Sequence, residues 1–412
     1  MSKISKTNEQ SKHHFIPFRK GDIVEMCLQE GSLSGQEEAF RQLQHVLESI
    51  FHFEFHQLSE RLKTAYAPLD PDVDTRLVKT GAPSSQTEFI ACLKELLEKA
   101  NYAAVTEQDL KHAMSESSMF KIRLEVDFEE FSDVLLFCRG VSTRRETVFR
   151  FAGRFPKEIE FINYERVMIY IRFRDDYAQQ DNPLPSNKPG ATMLKLFRNV
   201  PRADMEMLFP NTRIRMRLLD KLLIGVPALI SGGIIVTTKL ATSLLLLGSL
   251  LGFWLGFNAQ PVELNKTALT ILLVGVATLG GYIWKQFSAF KNRKIQFMQS
   301  LTQNLYFKNL DNNAGVFHRL INDAEEEECK EATLAYYFLL IADQTLSKSE
   351  LDEKIEAWFE AKWDCAINFD IEDGLQKLQT LGLVNESDGL FTAISLSAAT
   401  DKLDQRWDDY FK

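Results

Sequence analysis

Cysteine is scarce in this chain, and familiar catalytic motifs are missing. Its 412 residues include five cysteines with no C-x-x-C pair, which argues against a zinc knuckle or a redox dithiol and favours a reducing compartment. The patterns G-x-x-x-x-G-K-[ST], G-x-G-x-x-G, G-x-S-x-G and H-E-x-x-H do not occur, so nucleotide-binding, serine-hydrolase and zinc-protease chemistry have no motif to support them. We therefore predict no catalytic residue and no cofactor, and we favour a non-enzymatic protein.

Charge is also missing from two long apolar runs. Residues 240–257 read LATSLLLLGSLLGFWLGF, and residues 268–284 read ALTILLVGVATLGGYIW. At about 1.5 Å per residue, a helix of either run approaches the bilayer core of roughly 30 Å. The runs predict a transmembrane hairpin with spans at 240–257 and 268–287, preceded by an interfacial helix at 222–238. A third full span at 222–238 and a buried two-helix core are the alternatives.

The N-terminus, MSKISKTNEQSKHH, has no signal-peptide run, so the internal runs would direct insertion. Basic residues flank the apolar region on both sides, and we predict that they contact anionic lipid at the membrane surface. They are Arg213, Arg215, Arg217, Lys221, Lys285, Lys291, Arg293 and Lys294. Two basic flanks require an even number of spans. The predicted localisation is therefore integral and multi-pass, with both soluble parts on the cytoplasmic or matrix-equivalent side.

Small residues recur four positions apart in both runs. They are Gly248, Gly252 and Gly256 in the first, and Ala277 and Gly281 in the second. This spacing lets helix backbones approach closely. It predicts helix packing, either within the hairpin or between two chains, as in a homo-oligomer.

The N-terminal part predicts an α+β domain. Residues 36–66 and 86–99 have helical patterns, whereas residues 120–128 alternate between apolar and charged side chains as a strand does. Further strands are predicted at 133–139, 146–151 and 167–174, with short connections typical of an antiparallel sheet. Glu48, His52 and His56 lie four apart on the first helix and are weak candidates for a metal site. A solvated helix face is the simpler interpretation, so no metal is predicted.

The acidic residues concentrate at the other end of the chain. Residues 323–412 hold 22 acidic and 8 basic residues, a net charge of −14, which leaves +5 for residues 1–322 because the whole chain carries −9. The pattern there predicts three helices, a hairpin at Asp388-Gly389 and a last helix, in the order of a winged helix. Phosphate repulsion argues against a nucleic-acid partner. A second hypothesis is that this acidic part docks onto the basic part.

Three stretches of the chain resemble a known family. They are YERVMIYIRF at 164–173, LKLFRNVPRADMEMLFPNTRIRMRLLDKLLIGVPAL at 194–229, and QNLYFKNLDNNAGVFHRLINDAEEEECKEATLAYYFLL at 303–340. They are similar to the uncharacterised multi-pass membrane family that includes transmembrane protein 143. The resemblance implies a multi-pass membrane architecture and supplies no reaction, ligand or catalytic residue.

Together these patterns predict an α+β membrane protein in four parts. They are a helical and antiparallel-sheet domain at 1–178, a linker and amphipathic basic juxtamembrane segment at 179–221, a membrane region at 222–290, and a helical stalk with an acidic winged-helix-like domain at 291–412. The predicted function is a membrane-anchored scaffold or interaction protein, with the bilayer, anionic lipids and a protein partner or second copy as partners. The alternative is a membrane-bound enzyme or lipid-binding protein with a pocket at the bilayer interface.

Overall fold

The computed structural model describes residues 14–72, 86–106, 110, 123–150, 155–176, 188–215, 241–255 and 266–410. The chain forms two compact units. The first joins Met1–Ser117, Asp127–Pro210 and Lys308–Lys412, and the second joins Ser118–Val126 and Asn211–Phe307. The acidic C-terminal residues therefore share a unit with the N-terminal residues, although the sequence suggested separate domains for them.

Helices and strands are both present, and the strands pair in antiparallel fashion. The strands are β1 (Ala103–Ala104), β2 (Arg123–Glu125), β3 (Phe131–Arg150), β4 (Phe155–Phe173), β5 (Thr192–Pro201), β6 (Arg213–Arg215), β7 (Asn309–Asn312), β8 (Leu346–Ser347), β9 (Val384–Ser387) and β10 (Leu390–Ala393). The helices are α1 (Lys20–Gln29), α2 (Glu37–Tyr66), α3 (Gln86–Lys99), α4 (Ala241–Trp254), α5 (Lys266–Lys308), α6 (Ala314–Leu340), α7 (Lys348–Trp363), α8 (Ile371–Thr380) and α9 (Leu396–Asp409). The fold is therefore α+β.

A five-stranded sheet in the order β1-β3-β4-β5-β7 forms one layer of the first unit. Its centre is β4, where residues 167–171 are fully buried. The sequence predicted two short strands with a connection at 140–143, but β3 runs through this position as one strand of 20 residues. Gly140 has a φ of +71°, a conformation that favours glycine. The pairing of β3 with β4 continues in the same register on both sides of it.

The segment after 188 differs most from its sequence interpretation. We predicted an amphipathic approach to the membrane there, with apolar side chains inserting into lipid. Instead β5 is an inner strand of the sheet, and a 3₁₀ helix (Arg202–Leu208) follows it. The side chains expected in lipid are buried in the protein, and they are Leu196, Phe197, Met205, Met207, Leu208 and Phe209. Strand pairing on both sides of β5 determined this outcome.

The helix α6 lies at the centre of the first unit. It packs against α1, α2 and α3 from the N-terminal part and against α7 and α8 from the C-terminal part. Aromatic pairs join these elements: Phe40 lies 5.9 Å from Tyr337 and Tyr66 lies 5.7 Å from Phe317, between ring centroids. Each fully buried aromatic or leucine side chain contributes roughly 1.5–3 kcal/mol. One hydrophobic core therefore includes both ends of the chain.

Local capping signals fix the C-terminal elements. Ser347 and Glu350 form a reciprocal capping box at the start of α7, in which each side chain accepts a hydrogen bond from the other residue's backbone N–H. Asp388 and Gly389 have φ values of 53° and 76°, which suit the tight turn between β9 and β10. The strand β10 pairs with β8 and β9. The winged-helix interpretation of this region stays a prediction.

The second unit contains β2, β6, α4 and most of α5, with β2 and β6 paired antiparallel. The predicted transmembrane hairpin is wrong by this structure, because none of the helices in its described ranges is both long enough and apolar enough to cross a membrane. The helix α4 has 14 residues, or about 21 Å against a core of roughly 30 Å. The helix α5 has 43 residues, of which the first half is apolar and the second half contains several lysines.

The same finding removes the support for a membrane fold class, for the multi-pass assignment and for the integral membrane localisation. The predicted interfacial helix at 222–238 lies outside the described residues.

Candidate functional site

Four charged residues of α6 are buried: Glu327, Glu328, Lys330 and Glu331. The sequence predicted a long helix after the polar break at 309–315 and assigned the acidic run at 325–328 to its start, where negative charge is favourable. The helix begins at Ala314, so the run lies near its middle, surrounded by other elements. Buried charges are stable in proteins only when partners surround them. The partners of these four residues define the most distinctive site of the first unit.

Glu327 is completely buried and accepts three hydrogen bonds. Its donors are the Ile16 backbone N–H at 3.1 Å, Arg139 Nη2 at 3.2 Å and Lys330 Nζ at 2.7 Å. Lys330 Nζ also donates to the Ile16 carbonyl at 2.8 Å. A Glu-Lys pair three residues apart on α6 thus holds both backbone polar groups of one N-terminal residue.

A second cluster joins α6 to α8. Lys377 Nζ donates to Glu331 at 2.7 Å and lies 3.7 Å from Glu328. Glu328 also accepts from Lys99 at 2.8 Å, and Glu331 accepts from Asn101 Nδ2 at 2.9 Å. The cluster therefore connects the third N-terminal helix with the C-terminal helices.

Carboxylates outnumber ammonium groups in this second cluster, because Asp373 also pairs with Lys377. Burial raises the pKa of Glu331 to about 8, although Lys377 opposes the shift. Burial also works against the charged form of Lys377, but the surrounding carboxylates outweigh it and hold the lysine pKa above its ordinary value. The cluster therefore keeps Lys377 charged and favours a proton on Glu331 near neutral pH.

Residues 14–19, called the N-terminal strap below, lie across α6 and α7. The Phe18 ring is 5.8 Å from Phe359 and 6.0 Å from Trp363. Phe15 packs under the Arg139 guanidinium at 4.6 Å, and Ile16 is buried. His14 Nδ1 is 3.1 Å from Asn368 Nδ2. Contacts of this kind from a short segment resemble peptide recognition in a groove.

Lys20, the first residue of α1, extends the charged contact between strap and helix. Its backbone N–H donates to Glu326 at 3.2 Å, and its Nζ donates to Glu325 at 3.2 Å. Arg139 and Arg166, from the basic sheet, lie 3.6 and 3.7 Å from Asp323. The acidic part of the chain therefore docks onto basic residues of its own N-terminal part, as one of the sequence hypotheses proposed.

The weak metal candidates lie beside a different cleft, of about 480 Å³, between α2, α6 and α9. Glu48 pairs with Lys20 at 3.4 Å, and His52 Nδ1 is 3.0 Å from Glu325. His56 lines the same cleft. Within the described ranges of the chain, no three His, Cys, Asp or Glu side chains are grouped so as to hold a metal ion. The partners of Glu48 and His52 in the structure are therefore the side chains of Lys20 and Glu325.

Large apolar side chains are exposed on the two helices of the second unit. On α4 they include Leu245 and Trp254, and on α5 they include Leu273 and Trp284, with exposed fractions from 61 to 83%. The other exposed large apolar side chains are Leu251 and Phe253 of α4, Leu255 directly after α4, and Leu269, Val274, Phe287, Ile295, Tyr306 and Phe307 of α5. An exposed apolar surface of this size marks an interaction site in most proteins.

The predicted packing glycines lie on these helices. A Cβ added at Gly248 or Gly281 would meet no atom within 4 Å, so neither glycine is in close contact with another helix in the described part of the chain. Ala277 is exposed, Gly252 is half-buried, and Gly256 is outside the described residues. The two sequence alternatives, packing within the hairpin and packing between two chains, both stay predictions.

The basic residues predicted to contact lipid are distributed over several elements. Arg213 and Arg215 form β6, whose backbone pairs with β2. Lys285 and Lys291 are exposed on α5, which also contains Arg293 and Lys294. Arg217 and Lys221 lie outside the described residues. The contact with anionic lipid stays an untested prediction.

Residues 164–315 match the model of a family described as a protein of unknown function, DUF3754. The match covers a little over a third of the chain, from β4 through the first residues of α6. No solved structure matches the chain. The family description names no reaction, ligand or partner, and it provides no link to the membrane family that the sequence resembles. The strap and most of α6 lie outside the match.

Sequence reasoning missed the buried cluster and the strap. Two signals in the sequence were available. Three residues after the acidic run at 325–328, the sequence continues with the apolar stretch ATLAYYFLL at 332–340, which is typical of a helix buried on all sides. The strap places Phe15, Ile16 and Phe18 in an otherwise polar N-terminus, and isolated apolar residues of this kind often serve as anchors.

Proposed function

We propose that this protein is a non-enzymatic scaffold that self-associates through the exposed apolar surface of α4 and α5. The observation that carries the proposal is a stripe of exposed residues on one face of α5. The stripe consists of Leu269, Leu273, Ala277, Gly280, Trp284 and Phe287, all of them exposed. At 100° per residue these positions fall within an arc of about 80°. A regular three- and four-residue spacing of this kind is the pattern by which two helices pack along their length.

The size of the surface supports a stable contact. Leu269, Leu273, Trp284 and Phe287, the four large side chains of the stripe, are 48–71% exposed, which at roughly 150–250 Å² per large residue gives on the order of 500 Å². The exposed residues of α4 add a similar area. The exposed apolar side chains of the two helices thus total on the order of 1,000 Å², compared with the roughly 800 Å² that each partner contributes to a standard protein interface and the roughly 300–600 Å² of the largest apolar patch on a typical monomer.

The composition of the stripe favours a second copy of this chain as the partner. Large side chains at its ends flank Ala277 and Gly280, and an added Cβ at Gly280 would meet nothing within 4 Å in the described part of the chain. Two copies can therefore approach closely at the small residues while the large ones interdigitate on either side. No Asp, Glu, Lys, Arg or His interrupts the sequence between Lys266 and Lys285, so like charges would not repel across the contact.

Cysteine crosslinking in cells that express the full chain tests this proposal. Ala277→Cys places a thiol on the stripe, and Thr278→Cys places a thiol at an exposed position about 100° around α5 from Ala277 and about 140° from the middle of the stripe. Four of the native cysteines are buried, and Cys365 is half-buried, so Cys365→Ser serves as the common background. We expect an oxidant to yield a disulfide-linked dimer with Ala277→Cys and at least tenfold less with Thr278→Cys.

A bulky substitution provides the second arm. Gly280→Leu should reduce the Ala277→Cys crosslink about tenfold because the added side chain separates the helices, while Thr278→Leu should leave it unchanged. Equal crosslinking at the two cysteines, or none at either, would contradict self-association. Binding of the monomeric chain to phosphatidylcholine vesicles, unaffected by Gly280→Leu, would identify lipid as the occupant of this surface and would also overturn the proposal.

A further inference from the structure

The N-terminal strap occupies a groove whose contacts do not depend on the strap being part of the same chain. Glu327 and Lys330 hold the Ile16 backbone N–H and C=O at 3.1 and 2.8 Å. Contacts to the main chain are available to any extended peptide, as when a strand adds to a sheet edge. The groove therefore contains a binding site for the backbone N–H and C=O of one residue, formed by two buried side chains that do not depend on its side chain.

Specificity comes from the positions on either side of that peptide unit. Phe15 lies against Arg139 at 4.6 Å, and Phe18 lies between Phe359 and Trp363 at 5.8 and 6.0 Å. Ile16, between them in the sequence, is 4% exposed. Pro17 is exposed and lacks an N–H group, so it leaves no donor unsatisfied and restricts the backbone before binding. Aromatic anchors beside a proline are a common basis for recognition of short peptides.

Charge adds a third requirement. Glu325 and Glu326 of α6 accept hydrogen bonds from Lys20, the residue directly after the strap. A segment that fits the groove therefore carries a basic residue shortly after its second aromatic residue. These features together describe a partner: an extended segment with two aromatic residues separated by an aliphatic residue and proline, followed by basic residues.

We propose that this groove is a peptide-binding site in which the N-terminal strap acts as an internal ligand, and that a partner protein with a segment of the same pattern displaces it. The site shares no residue with the α5 stripe and does not depend on self-association. The strap thereby regulates access to the groove. A partner gains entry when its segment binds more tightly or is present at a high local concentration.

The effect of the strap on the affinity for a free peptide can be measured. A tethered segment acts at an effective concentration of about 1 mM, so a free peptide with a Kd on the order of 10 µM would bind the intact chain roughly 100-fold more weakly than a chain with a disabled strap. Phe15→Ala combined with Phe18→Ala disables the strap at its two aromatic anchors and leaves the buried Ile16 in place. Phe128→Ala, which removes another partly exposed phenylalanine of the first unit, is the matched control.

The experiment measures fluorescence anisotropy of a labelled peptide, HHFIPFRK, with the full chain. We expect roughly 100-fold tighter binding to the strap variant than to the unaltered chain or to Phe128→Ala. A peptide with alanine at either aromatic position, or with an N-methyl group at the isoleucine, should lose at least tenfold in affinity for the strap variant. Equal and weak binding of all peptides to all variants would overturn the proposal.

A second measurement guards against a strap variant that fails to fold. A photoreactive group in place of the second phenylalanine of the peptide should label Phe359 or Trp363 of the unaltered chain at millimolar peptide concentration. Labelling elsewhere, or none, would contradict the assigned groove. If the strap variant instead forms mixed dimers with the unaltered chain through exchange of the strap, the occupant is a second copy, and the proposal of a separate partner is wrong.

Discussion

The buried Glu327–Lys330 pair should be strongly coupled in stability. Glu327→Gln removes the charge but keeps the size of a side chain that is completely buried. It leaves Lys330, which is 3% exposed, without its carboxylate at 2.7 Å, and weakens the hold on Arg139. Breaking a buried pair from one side costs about 3–5 kcal/mol, because the remaining charge stays buried without a partner. Arg139 keeps Asp323 at 3.6 Å, which places the expected cost near the lower end, at about 3 kcal/mol.

The double substitution provides the decisive comparison. Lys330→Met alone should also cost about 3 kcal/mol, since it leaves Glu327 buried with fewer donors. Glu327→Gln together with Lys330→Met removes both charges and keeps side chains of similar size. Its main loss is in the hydrogen bonds to the Ile16 backbone, at about 1 kcal/mol each. The double variant should therefore lose less stability than the two single costs added together, with a coupling energy of about 3 kcal/mol or more.

Urea unfolding of the full chain, followed by tryptophan fluorescence, measures these differences. Urea is preferable to guanidinium chloride because a salt would screen the ion pairs under test. Trp358, Trp363 and Trp407 report on the C-terminal elements that pack around α6 and α2. A loss below about 1 kcal/mol for Glu327→Gln, or strictly additive single and double variants, would refute the reasoning. Either result would mean that water reaches the pair.

Two further predictions concern the same region. Burial places the pKa of Glu331 at about 8, above its ordinary value of 4.5, so the carboxyl group stabilises the fold when protonated, and this contribution is lost as the pH rises through about 8. Relative to Glu331→Gln, which does not titrate, the unaltered chain should lose stability in urea between pH 5 and pH 8; a flat or rising difference would show an ionised Glu331 in the folded chain. Ser347→Ala removes the capping box of α7 and should cost about 1 kcal/mol; in thermal unfolding, Ser349→Ala in the first turn serves as the control, and equal effects of the two substitutions would contradict the assigned cap.

Local signals in the sequence determined most of the helix boundaries. The pattern at 36–66 predicted a helix found at Glu37–Tyr66, and the next helix is found at Gln86–Lys99 as predicted. Caps and turn residues, such as Ser347 and the Asp388-Gly389 pair, act within a few residues of their position. The sequence alone therefore determines such elements, because their stabilising contacts lie in the same short segment.

The environment of these elements was decided only by tertiary structure. The acidic run at 325–328 has the composition of a solvated helix start, yet α6 buries it against Arg139, Lys99 and the strap. The strand β5 was likewise buried by tertiary contacts, although its amphipathic, basic sequence suggested a membrane surface. Partners far apart in the chain determine whether such a segment faces solvent, lipid or protein, and spacing within the segment carries no information about them.

The apolar runs show the same limit most clearly. Their lack of charge determined that α4 and α5 are helices with an apolar surface, and both helices are present. It did not determine their lengths in the fold, nor which surfaces stay exposed, and the predicted pair of membrane spans was wrong for that reason. Hydrophobicity determines only that an apolar surface is more stable when it is removed from water. The tertiary structure determines which part of the protein packs against that surface.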